Sequence, residues 1–375
     1  MRTVDAAGLE IGDDHPPRVM GVLNVSKESP YDPSVYDDPG EAAAYVDEEL
    51  IDEGADIVDV GLESANKKFD VLSAEQELDR LETAVQTVES VSGEAVFSIE
   101  TRYHEVAEAA LDRGFDMVND ICGFADPEMP EVCAEYDVAV GKMASPPDLE
   151  RPGAIEDVDE IYEALFRNGL TDKTIVDPAF GGWSEDKTTA EDRETFRRLR
   201  EFRAVGQPVL VSINRKNFLR ELAGRSTEDA LPVSLAATAM AVERGANVVR
   251  THDVEETVDA ALVGDTFSRE RARDPEMGVQ ELDVTAVGEA ERQFETVDGD
   301  AAPGAAVARS FSLALPADAR DRLQTAAAGH DLVVTGTGDR VVLAGTVENL
   351  RALAERVEEP PALVAALDRV RDVCR

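Results

Sequence analysis

The sequence predicts a (β/α)8 TIM barrel followed by a small C-terminal α/β module. Three observations predict it. From about residue 18 to 265, short apolar runs alternate strictly with amphipathic runs, eight of each, which implies parallel strands joined by helical crossovers. Helix-stop pairs recur just before strands: Gly54-Ala55, Gly114-Phe115 and Gly245-Ala246. Polar residues gather at the C-terminal ends of the apolar runs, where a β/α barrel keeps its active site. An open doubly wound sheet alternates too, but it usually carries Gly-x-Gly-x-x-Gly after its first strand. Here that strand ends in Asn24-Val-Ser26.

The elements follow in order. Residues Arg2–Gly12 read as a hairpin plugging the N-terminal end of the barrel. Arg18–Val25 is an apolar strand after Pro16-Pro17, followed by a helix from about Glu41 to Glu53. Asp56–Gly61 is the second strand. Ala74–Val91 is a helix with Leu78, Leu81, Val85 and Val88 on one face. Strand Ala95–Ile99, helix His104–Arg113, strand Asp116–Ile121, helix Met129–Glu135 and strand Val138–Met143 come next. Then follow helix Val158–Asn168, strand Thr174–Asp177, helix Ala190–Arg203, strand Val209–Ile213, helix Glu228–Arg244, strand Asn247–Thr251 and helix Glu255–Val263. The barrel is thus expected over residues 1–265. Residues 266–304, charged and then rich in Gly, Ala, Asp and Pro, read as a connector. Residues 305–375 read as the small module, with strand Ser310–Leu315, helix Ala317–Ala328, a hairpin around Thr337-Gly-Asp-Arg340, and helices Val347–Val357 and Pro361–Val373. No cluster of reactive groups stands out in that module.

Composition narrows the function. With 79 acidic and 37 basic residues the formal net charge is −42, spread along the chain. Such a surface repels a phosphate backbone, so nucleic acid is not an expected partner. It fits adaptation to high salt, where a Debye length of about 3 Å at 1 M screens self-repulsion. No apolar run reaches the ~18–20 residues that span a bilayer, so no membrane partner is expected. Cys122, Cys133 and Cys374 show no paired or metal-binding spacing, which fits a reducing cytoplasm.

Chemistry is concentrated at the strand ends. In order they carry Asn24; Asp59, Glu63 and Ser64; Glu100; Asn119 and Asp120; Lys142 and Met143; Asp177; Asn214, Arg215 and Lys216; Arg250 and His252. Acids and amides dominate the middle strands, and cations gather at the last two. That pattern suits a flat heterocycle rich in N–H donors beside an anionic leaving group, since Arg holds phosphate through paired hydrogen bonds.

Seven segments resemble, in family order, the motifs of dihydropteroate synthase, a member of the pterin-binding barrels. They are Met20-Gly-Val-Leu-Asn-Val-Ser26, Ile57-Val-Asp-Val-Gly-Leu-Glu-Ser64, Ser98-Ile-Glu-Thr101, Val118-Asn-Asp-Ile121, Val176-Asp-Pro178, Asn214-Arg-Lys216 and Arg250-Thr-His-Asp253. The resemblance covers about residues 18–265. It implies a transferase of folate biosynthesis that condenses 6-hydroxymethyl-7,8-dihydropterin diphosphate with p-aminobenzoate and releases diphosphate. By the same resemblance Glu100, Asn119, Met143, Asp177 and Lys216 bind the pterin. Asn24, Arg250 and His252 bind the diphosphate, Asn24 through Mg²⁺, and Asn24, Lys216, Arg250 and His252 carry the catalysis. A homodimer through the late helices is implied as well.

The chain departs from the family at defined places. The third-strand Asp is Glu100. The Asn-Val-Thr-Pro-Asp-Ser-Phe loop is Asn24-Val-Ser-Lys-Glu-Ser-Pro30, and Gly-Gly-Glu-Ser-Thr-Arg-Pro is Gly61-Leu-Glu-Ser-Ala-Asn-Lys67. The His of Met-His-Met is Lys142, and the Ser before Arg-Lys is Asn214. Asp-Pro-Gly-x-Gly-Phe-Gly-Lys becomes Asp177-Pro-Ala-Phe-Gly-Gly-Trp-Ser184 and loses its Lys. Pterin and phosphate positions are mostly kept, while the positions facing p-aminobenzoate are altered. Three functions therefore share the pattern: a divergent dihydropteroate synthase, a pterin enzyme with another acceptor, or a pterin-binding protein without catalysis. A methyl-pterin carries no diphosphate, so the retained cations speak against methyl transfer.

Overall fold

The computed structural model describes residues 1–25, 34–63, 71–181, 187–274 and 276–374. They form two compact units, Met1–Glu270 and Arg271–Arg375.

Eight parallel strands build the first unit: Arg18–Asn24, Ile57–Gly61, Val96–Thr101, Met117–Asp120, Ala139–Met143, Thr174–Asp177, Leu210–Val211 and Val248–Thr251. Each pairs in parallel with the next from the first to the sixth, and the eighth lies between the first and the seventh. A parallel bridge between Val176 and Val209 joins the sixth and seventh strands, and the ring closes. The predicted barrel is the observed one.

Strand side chains alternate with a period of two, so every second residue of a strand points into the barrel, and the strands are staggered relative to one another. The lowest inward position of each strand is apolar, and together they form one buried cluster: Met20, Ile57, Val96, Met117, Ala139, Ile175, Leu210 and Val248. The hairpin Val4–Ala6 with Leu9–Ile11 packs on it through Val4, Ala6 and Ile11. That end of the barrel is sealed, as the apolar hairpin predicted. Two and four residues further along the same strands, the inward positions turn polar.

The helices follow from local signals. Ser73 and Gln76 form a capping box at the start of Ala74–Ser90, and Thr188 with Glu191 does so at Thr189–Arg197. Gly54, Gly114 and Gly245 all sit near φ +100°, which a side chain would resist, so the expected stops fall at real chain reversals. The first helix begins earlier than expected, at Pro39, because Asp38 accepts from Gly40 and Glu41 N–H groups. It continues as a π-helical stretch, Val46–Ile51. The seventh crossover has an additional helix, Asn217–Ala223, before Leu231–Glu243. Its single buried turn, Phe218 and Leu219, is too short to show a period.

Helices Leu231–Glu243 and Val254–Thr266 cross closely at Gly264. A Cβ there would stand 2.5 Å from the Ala239 carbonyl oxygen and 2.9 Å from Val242 Cβ. Gly264→Ala should therefore lower the melting temperature, although alanine in a helix is normally favoured by about 1 kcal/mol. Overpacking of this kind costs roughly 1–3 kcal/mol. A higher melting temperature would show that the helices are not in contact there.

The second unit holds an antiparallel sheet in the order Ala308–Ala314, Arg340–Thr346, Leu332–Thr335, with helices Ala317–Ala327, Val347–Arg356 and Pro361–Val373. The residues expected to act as a connector, 266–304, include a short ribbon, Arg273–Asp274 with Val279–Gln280, and a helix, Val287–Glu295. Ala290 of that helix is fully buried in the core of this unit beside Leu323, Leu343 and Leu350. No helix among the described residues is long and apolar enough to cross a membrane.

Candidate active site

The polar interior layers begin at Asp59. Strand alternation puts Asp59, Ser98, Asn119, Asp177 and Arg250 inward, two residues above the apolar floor on their strands. Asp59 is fully buried. Its Oδ2 accepts from Arg250 Nε at 2.7 Å and from Asn119 Nδ2 at 2.9 Å. Arg250 Nη2 donates to Glu100 Oε2 at 2.6 Å. The guanidinium thus bridges carboxylates of the second and third strands. The extra methylene of Glu100 gives its carboxylate reach across the mouth. Burial raises the Glu100 carboxyl above the usual range against the pull of Arg250, and Asp59 adds to the rise. Burial works against the charge on Arg250, but Glu100 and Asp59 more than offset it and hold the proton tightly.

Acids and cations therefore interleave, rather than facing each other across the gap as the strand-end pattern implied. One oxygen, Asp59 Oδ1, and the Ser98 hydroxyl are buried and take no hydrogen bond from a described residue. Leaving a buried polar atom unmet costs about 1–3 kcal/mol, so both are suited to a bound polar group.

The sixth and seventh strands supply a second pair. Asp177 Oδ1 accepts from the Ala179 N–H at 2.7 Å. Burial pushes the Asp177 carboxyl up to about 6, against that hydrogen bond and the charges of Lys216, Arg250 and Lys187. Burial lowers Lys216, and Asp177 opposes the fall. Gly181 is needed here: its φ is +80°, and a Cβ would lie 2.9 Å from Lys216 Cδ. Gly141 has no side chain for the same reason, since a Cβ would meet Asn119 Oδ1 at 2.8 Å. Met143, two residues beyond Gly141, comes at the rim on the inward side of its strand.

Asn24 stands on the other flank. Its amide nitrogen donates to Ser34 Oγ at 3.0 Å, which turns Oδ1 toward Gly61, where a Cβ would come within 3.1 Å. His252, two residues after Arg250, is held neutral: burial and then Arg250 push it down to about 3, with Asp253 pulling the other way. It is therefore a neutral hydrogen-bonding group in the ligand-free chain, not a cation.

Several strand-end residues lie elsewhere. Lys142 is fully buried on the outward side of its strand. Its ammonium donates to the carbonyls of Leu165, Arg167 and Gly169 at 3.0, 2.5 and 2.7 Å and so caps the end of helix Val158–Phe166. Asp120, also outward, accepts from the N–H groups of Cys122 and Phe124. Arg215 grips Asp253 through two bonds of 2.8 Å, and Asn214 donates to the same carboxylate at 2.8 Å. These correct the reading of Lys142 and Arg215 as cations of the mouth. Ser64 and most of the altered loop residues fall outside the described residues. Glu63 is described and pairs with the buried Arg102, which also donates to the Leu149 carbonyl at 2.7 Å.

Two participants were not assigned a role from sequence. Asp59 is the centre of the network, and an acid within a run of buried β-branched residues was the available signal. Lys187 was not foreseen at all. Its ammonium donates to the Ala179 carbonyl at 2.8 Å, beside Asp177. Among the described residues, His104, Glu105 and Asp126 bring three possible ligand atoms within 4.8 Å of one another.

Fold and geometry define a closed β/α barrel with one polar mouth built from buried acids, amides and cations. The family model described as pterin binding enzyme matches residues 20–252. A probable bifunctional folylpolyglutamate synthase/dihydropteroate synthase of Halobacterium salinarum is 37% identical over 259 residues, covering 66% of this chain and 31% of the relative. The chain thus spans about a third of that relative. The dihydropteroate synthase of Clostridium beijerinckii is 30% identical over 258 residues, covering 67% of this chain and 94% of the relative. The structure of a Coxiella burnetii dihydropteroate synthase in complex with pteroic acid superposes with a TM-score of 0.59 at 29% identity, covering 70% of this chain and 98% of that one. The chain belongs to the family of pterin-binding enzymes, and the relatives it matches over their full barrel are dihydropteroate synthases.

Proposed function

We propose that the barrel unit is a dihydropteroate synthase: it condenses 6-hydroxymethyl-7,8-dihydropterin diphosphate with p-aminobenzoate and releases diphosphate. The observation that carries this is the convergence of Asp59, Glu100, Asn119, Asp177, Lys216 and Arg250 on one mouth, in the family's order along the chain.

The chemistry follows from those groups. The amine and ring N–H groups of a pterin need buried acceptors, which Asp177, Asn119 and Asp59 Oδ1 offer, while Lys216 donates to a ring acceptor and Met143 covers a face. The amine lone pair attacks the pterin methylene as its C–O bond breaks; the electron pair of that bond leaves on diphosphate, and the amine loses a proton to solvent. Positive charge develops at the methylene, near Asp59 and Glu100, and negative charge on the leaving oxygen. Preorganised charges are worth most where water is excluded. Arg250 Nη1 has no partner among the described residues, and with the neutral His252 it is placed to donate to diphosphate.

Asn24 Oδ1 offers one hard oxygen at the rim, which fits Mg²⁺ that keeps waters and shares substrate phosphates. When bound, the ion neutralises charge on the leaving diphosphate.

Diphosphate release from the pterin diphosphate and p-aminobenzoate, followed at high salt with Mg²⁺, tests the proposal. Release only with another amine would favour a different acceptor, which the altered residues around Glu63 motivate. Pterin binding with no release for any arylamine would end the enzymatic reading.

A further inference from the structure

We infer that Lys187 is a positioning residue for Asp177: together with Asp192 it holds the turn that carries this carboxylate into the mouth. The inference takes its ligand from the function proposed above.

The turn after the sixth strand is unusual. Ala179 sits at φ +60° and Gly181 at φ +80°. A left-handed alanine is strained, so something must hold it. The fastening is visible on both sides. Toward the mouth, the Ala179 N–H donates to Asp177 Oδ1 at 2.7 Å and sets the direction of the carboxylate. Away from it, the Ala179 carbonyl accepts from Lys187 Nζ at 2.8 Å. Asp192 Oδ1 accepts from the Gly181 N–H at 3.0 Å and lies 3.5 Å from Lys187 Nζ.

The Lys187 and Asp192 side chains are 2% and 5% exposed. Asp192 belongs to the first turn of helix Thr189–Arg197, which the Thr188–Glu191 capping box fixes. A buried ion pair on a capped helix therefore anchors two peptide groups of the turn. The same turn supports the partner cation, because Gly181 packs on the Lys216 stem. Burying two charges is costly unless each finds further hydrogen bonds, and here each finds a peptide group of this turn.

Among the described residues, these charges act most strongly around the turn. Asp177 faces Lys216, Arg250 and Lys187. Lys187 faces Asp192, Asp177 and Glu156. Lys216 faces Asp177, Arg250, Asp192 and Lys187. Burial already pushes Asp177 up to about 6. Removing the Lys187 charge takes away one of three cations that favour the carboxylate, so the group should titrate higher still.

The test uses the whole chain at high salt and the pterin alcohol, which lacks diphosphate. Binding is titrated from mildly acidic to neutral pH for wild type, Lys187→Met and Lys187→Gln. Lys187→Met should bind roughly tenfold more weakly, about the worth of one charge-assisted hydrogen bond, and its acid limb should move upward. Lys187→Gln keeps a donor for Ala179 but no charge, so it should recover affinity while its limb stays displaced. Adding Ala179→Gly to Lys187→Met should recover part of the affinity by removing the left-handed strain, again without restoring the limb. Wild-type affinity and an unmoved limb in Lys187→Met would overturn the inference. So would equal loss in the Met and Gln variants without a limb shift, the mark of a merely structural residue.

Carboxyl-carbon NMR of Asp177 in the ligand-free chain, assigned through Asp177→Asn, reads the same displacement without any ligand. If wild type fails to bind pterin yet the Asp177 resonance titrates higher in both Lys187 variants, the proposed function falls and the positioning role stands. An unshifted resonance in a folded variant sinks the positioning role whatever binds.

Discussion

Replacing Arg250 by methionine should destabilise the barrel by about 3–5 kcal/mol, the usual cost of breaking a buried ion pair from one side, and should abolish diphosphate release. The guanidinium donates to Asp59 at 2.7 Å and to Glu100 at 2.6 Å, and its side chain is 17% exposed. Without it two carboxylates are left close together in a water-poor interior. They must take up protons or distort the mouth. Stability and activity can be separated. Adding Asp59→Asn and Glu100→Gln to Arg250→Met removes the uncompensated charge, so the melting temperature should recover while diphosphate release stays lost. A melting temperature unchanged in Arg250→Met, measured at fixed high salt, would mean that the network does not hold these strands together. Full activity in the triple variant would mean that the cation is structural and plays no part in the reaction.

Asp177→Asn should weaken pterin binding by roughly a hundredfold or more, because hydrogen bonds to a charged acceptor are worth about 1.5–3 kcal/mol each. The carboxylate is the form that accepts from two donors; the amide presents one acceptor and one donor. The pH dependence has a definite sign. Burial raises the Asp177 carboxyl to about 6, so the binding form is populated above that pH and is lost as pH falls through it. Wild-type pterin affinity should therefore drop on the acid side of about 6, and the drop should be absent in Asp177→Asn. Fluorescence titration of the pterin alcohol at several pH values measures both. A wild type whose affinity is flat through that range would remove Asp177 as the acceptor.

The barrel was legible in the chain because its signals are local. Apolar runs of strand length, amphipathic faces such as Leu81 and Val85, and glycines at Gly54, Gly114 and Gly245 act within a few residues of themselves. The inward series was legible too. Asn119, Asp177 and Arg250 are polar residues in otherwise apolar strands, and period-two alternation places them with the floor residues Met117, Ile175 and Val248. Alternation would also have turned Lys142 and Asp120 outward, since each follows an inward neighbour, Gly141 and Asn119. Both lie at strand ends, but on the face turned away from the mouth, where Lys142 meets the Leu165 carbonyl and Asp120 the Cys122 N–H.

Lys187 was illegible for a different reason. Comparison by position finds Ser184 where the family has lysine, and only the folded turn shows an ammonium from three residues further on reaching Ala179. The role of Asp59 was half legible: its strand and depth could be read, but its two partners, Asn119 and Arg250, stand 60 and 191 positions away.

By itself the sequence determined the alternation of strands and helices, the sealed apolar floor and the kind of group each strand delivers to the mouth, since each depends on residues near one another in the chain. The tertiary structure alone decided which charges pair, which lysines face the mouth and which cap a helix, and how far each carboxyl is pushed from its ordinary value. Those outcomes depend on distance and on exclusion of water, and neither exists until the eight strands have closed.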